Sequence, residues 1–507
     1  LYRTTMDWLF VLGVVISVVL CVLTFISIYI IHGRRKYSHI PGPPIDNFFL
    51  GNFHLFNKYM KEGMFFSAMT LDLCKKYGPV FKMSFMQATF VFTSDPQAVR
   101  ELQITGNHPK SYITLEGIIY LFRERFFGKS LVSEIDQKVW VWRRQLMNPC
   151  FQKSYLRGLE SALNTEIDLL ITRLAGLADG KTKVSMLDEF NHLTLDIIGK
   201  IAFGMEMNNV VNRTEKSEFT KAIQLCFRGI SENVTDPFFT FKISNWSFIK
   251  DVRKALRFLR VFSKQCFEER KAAIERGDYT PDDILNHIVK MKLENPELDD
   301  EVIVDDIIVF FVAGQETTAC LLSFTMICLW QNKDVLKRLR TEVYDAVGMK
   351  SYLSIEDVNK MKYLDMVIKE SLRLYPPGPN TFREPKHDIE ILGYKIPAGT
   401  PIAMSTYVSS RLEQYFPDPL KFFPDRFSPD AENKITSYTY YPFTLGPRTC
   451  IGKSFAEIEA KIILAKIIQR FNFEMDPGQS FDIEESTTLK PKGGAVCTLT
   501  LCDSFEG

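Results

Sequence analysis

Phe443-Thr444-Leu445-Gly446-Pro447-Arg448-Thr449-Cys450-Ile451-Gly452, followed by the helix-like stretch Lys453–Gln469, sets one cysteine at the start of a helix. Backbone N–H groups and the helix dipole there favour thiolate over thiol, and the flanking glycines let a large planar ligand approach closely. Arg448 is placed to pair with an acidic group of that ligand. A lone cysteine is most often an inert core thiol, and that bland reading is kept for the other nine of the ten cysteines. They are scattered and include no CxxC pair, which argues for a reducing compartment rather than a disulfide framework.

Upstream, Ile307–Trp330 is apolar enough to pass for a membrane span, but Gln315, Glu316, Thr317 and Thr318 interrupt its centre. Such groups are costly in lipid, so the stretch predicts a buried helix that turns them toward a cavity. Phe310, Ala313, Gly314 and Thr317 recur at i, i+3, i+4 and i+7 and form one stripe. Taken alone, a helical threonine bonds its own i−4 carbonyl. Between these two stretches, a capping box of Ser354 and Asp357 opens a helical pattern in which Lys362, Asp365 and Lys369 share a solvated face. Glu370 falls on the other face with Tyr363, Val367 and Leu374. A buried carboxylate without a partner costs several kcal/mol, and Arg373, one turn on, is the natural one.

At the N-terminal end, Trp8–Ile31 carries no charge and spans about 36 Å as a helix, enough to cross the hydrocarbon of a bilayer. It lacks the cleavage site of a signal peptide. Residues 8–31 are therefore expected to be a transmembrane anchor, and 32–50 a basic stop-transfer and proline-rich hinge that includes Arg34-Arg35-Lys36 and Pro41-Gly42-Pro43-Pro44. Cationic flanks stay in the cytosol, which leaves 51–507 as one cytosol-facing catalytic domain. No linker or repeat divides that part. On this topology the sequons at Asn212, Asn233 and Asn245 stay bare. Helical periodicity dominates, as in Tyr155–Leu177 and Val335–Val347, with short strand patterns at Val80–Phe85, Thr89–Thr93 and Val496–Leu501. Lys+Arg at 62 nearly cancels Asp+Glu at 61, so the global charge gives no sign of a nucleic-acid partner.

The Phe443–Gly452 segment resembles the FxxGxRxCxG haem-binding signature of the cytochrome P450 family. Four further signatures resemble that family's in the same order along the chain: Trp140-x-x-x-Arg144, Ala313-Gly314-Gln315-Glu316-Thr317-Thr318, Glu370-Ser371-Leu372-Arg373 and Pro424-Asp425-Arg426-Phe427. The resemblance implies a mainly α fold with a small β part, preceded here by one transmembrane helix. It implies haem b with Cys450 as the iron ligand, and a binding set of Trp140, Arg144, Arg383, Phe443, Gly446, Arg448 and Gly452, the arginines holding the propionates. By the same resemblance Thr317 hydrogen-bonds the dioxygen being activated and Glu316 relays protons. Phe310, Ala313, Gly314 and Pro379 line the substrate pocket, the small residues leaving room for dioxygen. Glu370, Arg373 and Arg426 form a structural network.

Within the family, Tyr37–Pro44, Leu131–Glu134, Phe203–Glu206, Leu372–Pro377, Ser405–Val408 and Thr488–Pro491 look like the cholesterol 24-hydroxylase branch, while Gly378-Pro379-Asn380 and the Phe203–Phe248 region diverge from it. The resemblance implies a monooxygenase acting on a small lipophilic substrate, a sterol first. Fatty-acid ω-hydroxylation and oxidation of foreign lipophiles remain alternatives. So does a haem carrier or sensor, although simple retention of haem needs neither Glu316 nor Thr317. The chain has no flavin or nicotinamide fingerprint. The implied electron source is NADPH through a diflavin reductase at the endoplasmic reticulum membrane.

Overall fold

In the computed structural model, which describes residues 2–212, 218–432 and 434–502, the first apolar run forms α1, Tyr2–Arg35. From Phe10 onward it is long and apolar enough to cross a membrane, and only 6% of its most apolar window is buried against the protein. Phe10, Val15, Phe25 and Ile28 all point outward, the arrangement expected of a helix surrounded by hydrocarbon. Its C-terminal end is tied down. Arg34 donates to Phe48 O at 2.7 Å and to Met86 O at 2.9 Å. The proline segment that follows lies against β1, Val80–Phe85, where Lys82 N donates to Pro41 O at 2.8 Å. A Cβ on Gly42 would lie 2.3 Å from Lys82 O, so glycine is required there for close approach.

The strand β1 turns through Met86 into β2, Ala88–Thr93. This antiparallel pair is extended by β3, Asn380–Arg383, and β4, Ile402–Ser405, in the order β1-β2-β4-β3, with β2 and β4 parallel. The sheet thereby brings Arg383, far along the chain, beside the N-terminal third.

Four helices hold the site. The first, α2, Gln137–Met147, is capped by Asp136, whose carboxylate accepts from Lys138 N and Val139 N. The next, α3, Met186–Phe203, ends at left-handed Gly204. The central helix, α4, Asp300–Gln331, is 83% buried over its most apolar window, so protein rather than lipid surrounds the Ile307–Trp330 run. It packs along α3, with Phe203 and Phe311 stacked at 3.9 Å between centroids. The fourth, α5, Lys362–Leu374, carries Glu370 and Arg373. The capping box at Ser354 forms, but it opens a separate short helix, Ile355–Lys360, because Met361 leaves helical geometry before α5 begins. The Tyr155–Leu177 pattern likewise divides at Leu159 into Lys153–Gly158 and Glu160–Ala175.

The start of α4 is anchored by ions. Asp305 pairs with Arg125 and Arg260, and Asp306 pairs with Arg143, all with the aspartates fully buried. Both carboxylates also take backbone N–H groups, Asp305 from Lys129 and Asp306 from Leu131. The loop 125–134 is thereby fixed between α2 and α4.

Candidate haem-thiolate site

After the cysteine loop the chain enters α6, Lys453–Arg470, with Gly452 at its N-cap position. Cys450 N donates to Phe443 O at 2.9 Å and Thr449 Oγ1 donates to the same oxygen at 3.2 Å, closing the loop on itself. Gly446 takes φ 67°, and a Cβ there would sit 2.1 Å from Gln103 O. Leu445 N also donates to Gln103 Oε1 at 2.9 Å, which pins the loop to the π-helical turn Glu101–Thr105. Seven cysteines are buried, whereas Cys450 is exposed and a Cβ on Gly452 would come within 3.9 Å of its Sγ. The remaining two are Cys21, exposed on α1, and Cys502, half-buried. The thiol itself departs from the expectation that its loop favours thiolate. Although its side chain is open to the internal space, the protein atoms around it desolvate the thiol and raise its pKa, against the Gly452 N–H, Arg144 and Lys110, which pull it down. Cys450 lies ahead of the first helical turn, and a cation bound at the sulfur would favour the thiolate.

Four cations face this loop. Arg448 donates to Glu134 O at 2.7 Å and to Gln137 Oε1 at 2.9 Å, and its Nε is buried without a partner. Burial, with Arg383 next, lowers its pKa to about 9. Arg383 lies on β3, almost wholly buried, and burial lowers it to about 10. Arg144, on α2, bonds Asn148 at 2.9 Å. Trp140 does not offer its N–H to the site: Nε1 donates to Leu131 O at 3.1 Å, and the ring forms a platform 4.1 Å below the Arg448 guanidinium. The fourth cation, Lys110, escaped the sequence analysis because no signature contains it. Its Nζ donates to Val132 O at 2.7 Å, and burial together with Arg383 and Arg448 brings it down to about 7. Thus Trp140, Lys110 and Arg448 all donate to carbonyls of the loop 131–134, itself held by the Asp306 carboxylate.

None of Lys110, Arg144, Arg383 and Arg448 makes an ion pair with a carboxylate among the described residues; the nearby Glu134 pairs with Arg143. Cations gathered this way, with Arg383 and Arg448 buried and Lys110 and Arg144 half-buried, call for an anion. A thiol beside an open glycine, with four cations and no acidic partner for them, fits an iron macrocycle that bears carboxylates.

On α4 most side chains are buried, yet Ala313 is exposed and Gly314 and Thr317 are half-exposed, so this stripe faces an internal space. Gly314 serves packing as well as room. A Cβ there would meet the Ile198 side chain at 2.9 Å, so its small size sets how closely α3 approaches α4. Phe310 is buried and stacks on Phe151 at 5.6 Å between centroids. Thr317 Oγ1 donates to Ala313 O at 2.8 Å, which leaves the hydroxyl oxygen as an acceptor on the accessible face. Glu316 is buried, and burial raises its pKa against the opposing pull of Lys490 and the Thr488 hydroxyl. Pro379 is buried, its carbonyl accepting from Thr406 N and Ser405 Oγ. Ile451 and Phe455 pack on the same apolar cluster as Phe310 and Phe311, which joins the cysteine loop to α4.

Away from this face, Glu370 and Arg373 are both fully buried and meet through two hydrogen bonds at 2.7 and 2.8 Å. Arg426 adds a third at 2.9 Å, and Arg373 also donates to the carbonyls of Ser410, Pro419 and Lys421. The network fixes the segment that leads into the cysteine loop.

A family model for cytochrome P450 matches residues 41–498. Cytochrome P450 4d2 of Drosophila melanogaster is 28% identical over 464 residues, covering 86% of this chain and 89% of its own length. Cytochrome P450 3A13 of Mus musculus is 29% identical over 471 residues, covering 89% and 88%. Protein LUTEIN DEFICIENT 5, chloroplastic, of Arabidopsis thaliana is 30% identical over 427 residues, covering 80% and 69%. The chain belongs to the cytochrome P450 family, whose members are haem-thiolate monooxygenases. Haem held by a cysteine thiolate supplies the activation of dioxygen, the thiolate pushing electron density toward O–O cleavage.

Proposed function

We propose that this chain hydroxylates a sterol, taking electrons from NADPH through a diflavin reductase at the endoplasmic reticulum membrane. The observation that carries the monooxygenase chemistry is the open Ala313–Thr317 face of an otherwise buried helix, packed through one apolar cluster to the Cys450 loop. Cys450 would ligate the iron, while Arg144, Arg383, Arg448 and Lys110 would hold the carboxylates. Thr317 orients dioxygen, and Glu316 holds and passes protons beside it.

A lipophilic substrate is supported by α1 and by a second set of exposed apolar side chains, Phe238, Phe241, Ile243 and Trp246, which suit contact with a lipid surface. The sterol assignment rests on the six stretches resembling the cholesterol 24-hydroxylase branch. The divergent stretch has its own structure: Asn380 Nδ2 donates to Ser67 Oγ at 2.9 Å and to Glu485 Oε1 at 3.1 Å.

Incubation with reductase, NADPH and a panel of sterols, fatty acids and foreign lipophiles, followed by mass analysis, tests the reading. A hydroxylated sterol formed in preference to the other products is expected. Preferential ω-hydroxylation of fatty acids overturns the sterol assignment, and absence of turnover with every class favours a haem carrier. For topology, the Asn233 and Asn245 sequons should carry no glycan, whereas a shift with endoglycosidase places the domain in the lumen. The third sequon, at Asn212, extends outside the described residues.

A further inference from the structure

The last turns of α1 are set into the catalytic domain. Ile30 is buried, and a Cβ on Gly33 would lie 4.0 Å from Gln87 O, at the tip of the β1–β2 hairpin. Arg34 grips two segments at once: Nη1 donates to Phe48 O, and Nη2 to Met86 O in the same hairpin tip. Only a planar fork of donors reaches two carbonyls in this way. Met86 adopts φ 51°, a left-handed conformation that persists in a non-glycine residue only where its surroundings hold it. The fit around the guanidinium is close, since a Cβ on Gly51 would come within 3.3 Å of Arg34 Nη2.

The chain that follows is tethered as closely. The Tyr37 hydroxyl meets Thr400 Oγ1 at 2.9 Å, and Lys82 Nζ donates to Tyr37 O. His39 Nε2 lies 2.8 Å from Lys395 O, and Ile40 is buried. Pro41 O accepts from Lys82 N, and Pro44 O from Asn52 Nδ2 at 2.8 Å. Lys82 and Met86 belong to the β1–β2 hairpin and Thr400 directly precedes β4, so several of these tethers end on one sheet. A hinge needs residues free to rotate, whereas rotation here breaks hydrogen bonds to the domain.

We propose that Arg34 is an orientation clamp: it locks the catalytic domain at one angle to α1, so that the tilt of the membrane helix sets the tilt of the domain on the bilayer. This rests on α1 spanning the bilayer. At the edge of the hydrocarbon, where water competes weakly, the two charge-assisted bonds of Arg34 are stronger than on an open surface. With the angle fixed, the face through which a lipophilic substrate passes from bilayer to protein is fixed as well.

The test uses the full-length, haem-loaded protein in phosphatidylcholine vesicles. A polarised flash photolyses the carbon-monoxide complex, and the decay of absorption anisotropy reports how the haem plane turns relative to the membrane. The parent should show only the slow rotation about the membrane normal. Arg34→Gln should add a fast wobble, because each charge-assisted hydrogen bond lost raises the unclamped population about tenfold. Arg35→Gln removes the same charge one residue on, from an exposed side chain, and should leave the decay unchanged. Thermal midpoints and the carbon-monoxide spectrum check folding. Tyr37→Phe, which removes only the tether to Thr400, stands in if Arg34→Gln does not fold, and should show a smaller wobble. Fast wobble in the parent overturns the clamp, as does a parental decay in folded Arg34→Gln. An equal change in Arg35→Gln also overturns it, since charge rather than the joint would then set the orientation. Release of the parent by alkaline carbonate would instead sink the reading of α1 as a span, and the clamp with it.

Discussion

The guanidinium of Arg448 lies over the indole of Trp140, its Cζ 4.1 Å from the ring centroid, while the indole N–H is spent on Leu131 O. The tryptophan of the WxxxR signature therefore acts through the arginine of the cysteine loop, by a cation–π contact worth about 0.5–2 kcal/mol.

Trp140→Ala should accordingly lose haem faster than the parent, by roughly tenfold for about 1.4 kcal/mol. Trp140→Phe keeps a ring beneath Arg448 and should fall between the two. Transfer of haem to an excess of apomyoglobin measures the rates. Equal rates for the alanine and phenylalanine variants would show that the ring is not what matters.

Cys450→Ser should lose the long-wavelength absorption band of the carbon-monoxide complex, because an oxygen ligand lacks the electron donation of thiolate. The spectrum of the reduced variant under carbon monoxide decides this, and a retained band would remove the central assignment.

Replacing Glu370 by Gln breaks a buried network in which Arg373 and Arg426 both depend on one carboxylate. Removing one partner of a buried ion pair costs about 3–5 kcal/mol. The variant is expected to yield little folded, haem-bound protein, read as haem per polypeptide and as the midpoint of thermal unfolding. A midpoint within a degree of the parent's would mean that the network carries no stability.

The Glu459 carboxyl on α6 is almost wholly buried, and burial raises its pKa to about 8 against the opposing pull of the Thr318 hydroxyl. Its folded pKa lies above the unfolded value. The native state therefore retains a proton that the unfolded chain releases above about pH 4.5, and stability declines from there up to about pH 8. Glu459→Gln removes that loss. It should gain thermal stability relative to the parent at pH 8 and show little difference at pH 5. Parallel curves for the two proteins across that range would falsify the assignment.

The sequence by itself determined the family chemistry. Signatures such as Phe443–Gly452 and Glu370–Arg373 are local: glycine conformation, a cysteine ahead of a helix, and a carboxylate one turn from an arginine are set within a few residues. It also determined that the N-terminal run is long and apolar enough to cross a membrane and that Ile307–Trp330 is a buried helix with polar interruptions. Only the tertiary structure decided which distant groups meet. Lys110 joins the cation cluster because Glu384 N bonds Pro109 O and Lys110 Nζ reaches Val132 O, contacts that leave no periodic trace in the chain. Gly314, read as room for dioxygen, also answers to Ile198 on α3, and Glu316 to a hairpin more than a hundred and fifty residues downstream. The thiol followed the same logic. Local motif favours thiolate at Cys450, but desolvation is a sum over every surrounding atom, and folding alone supplies those atoms.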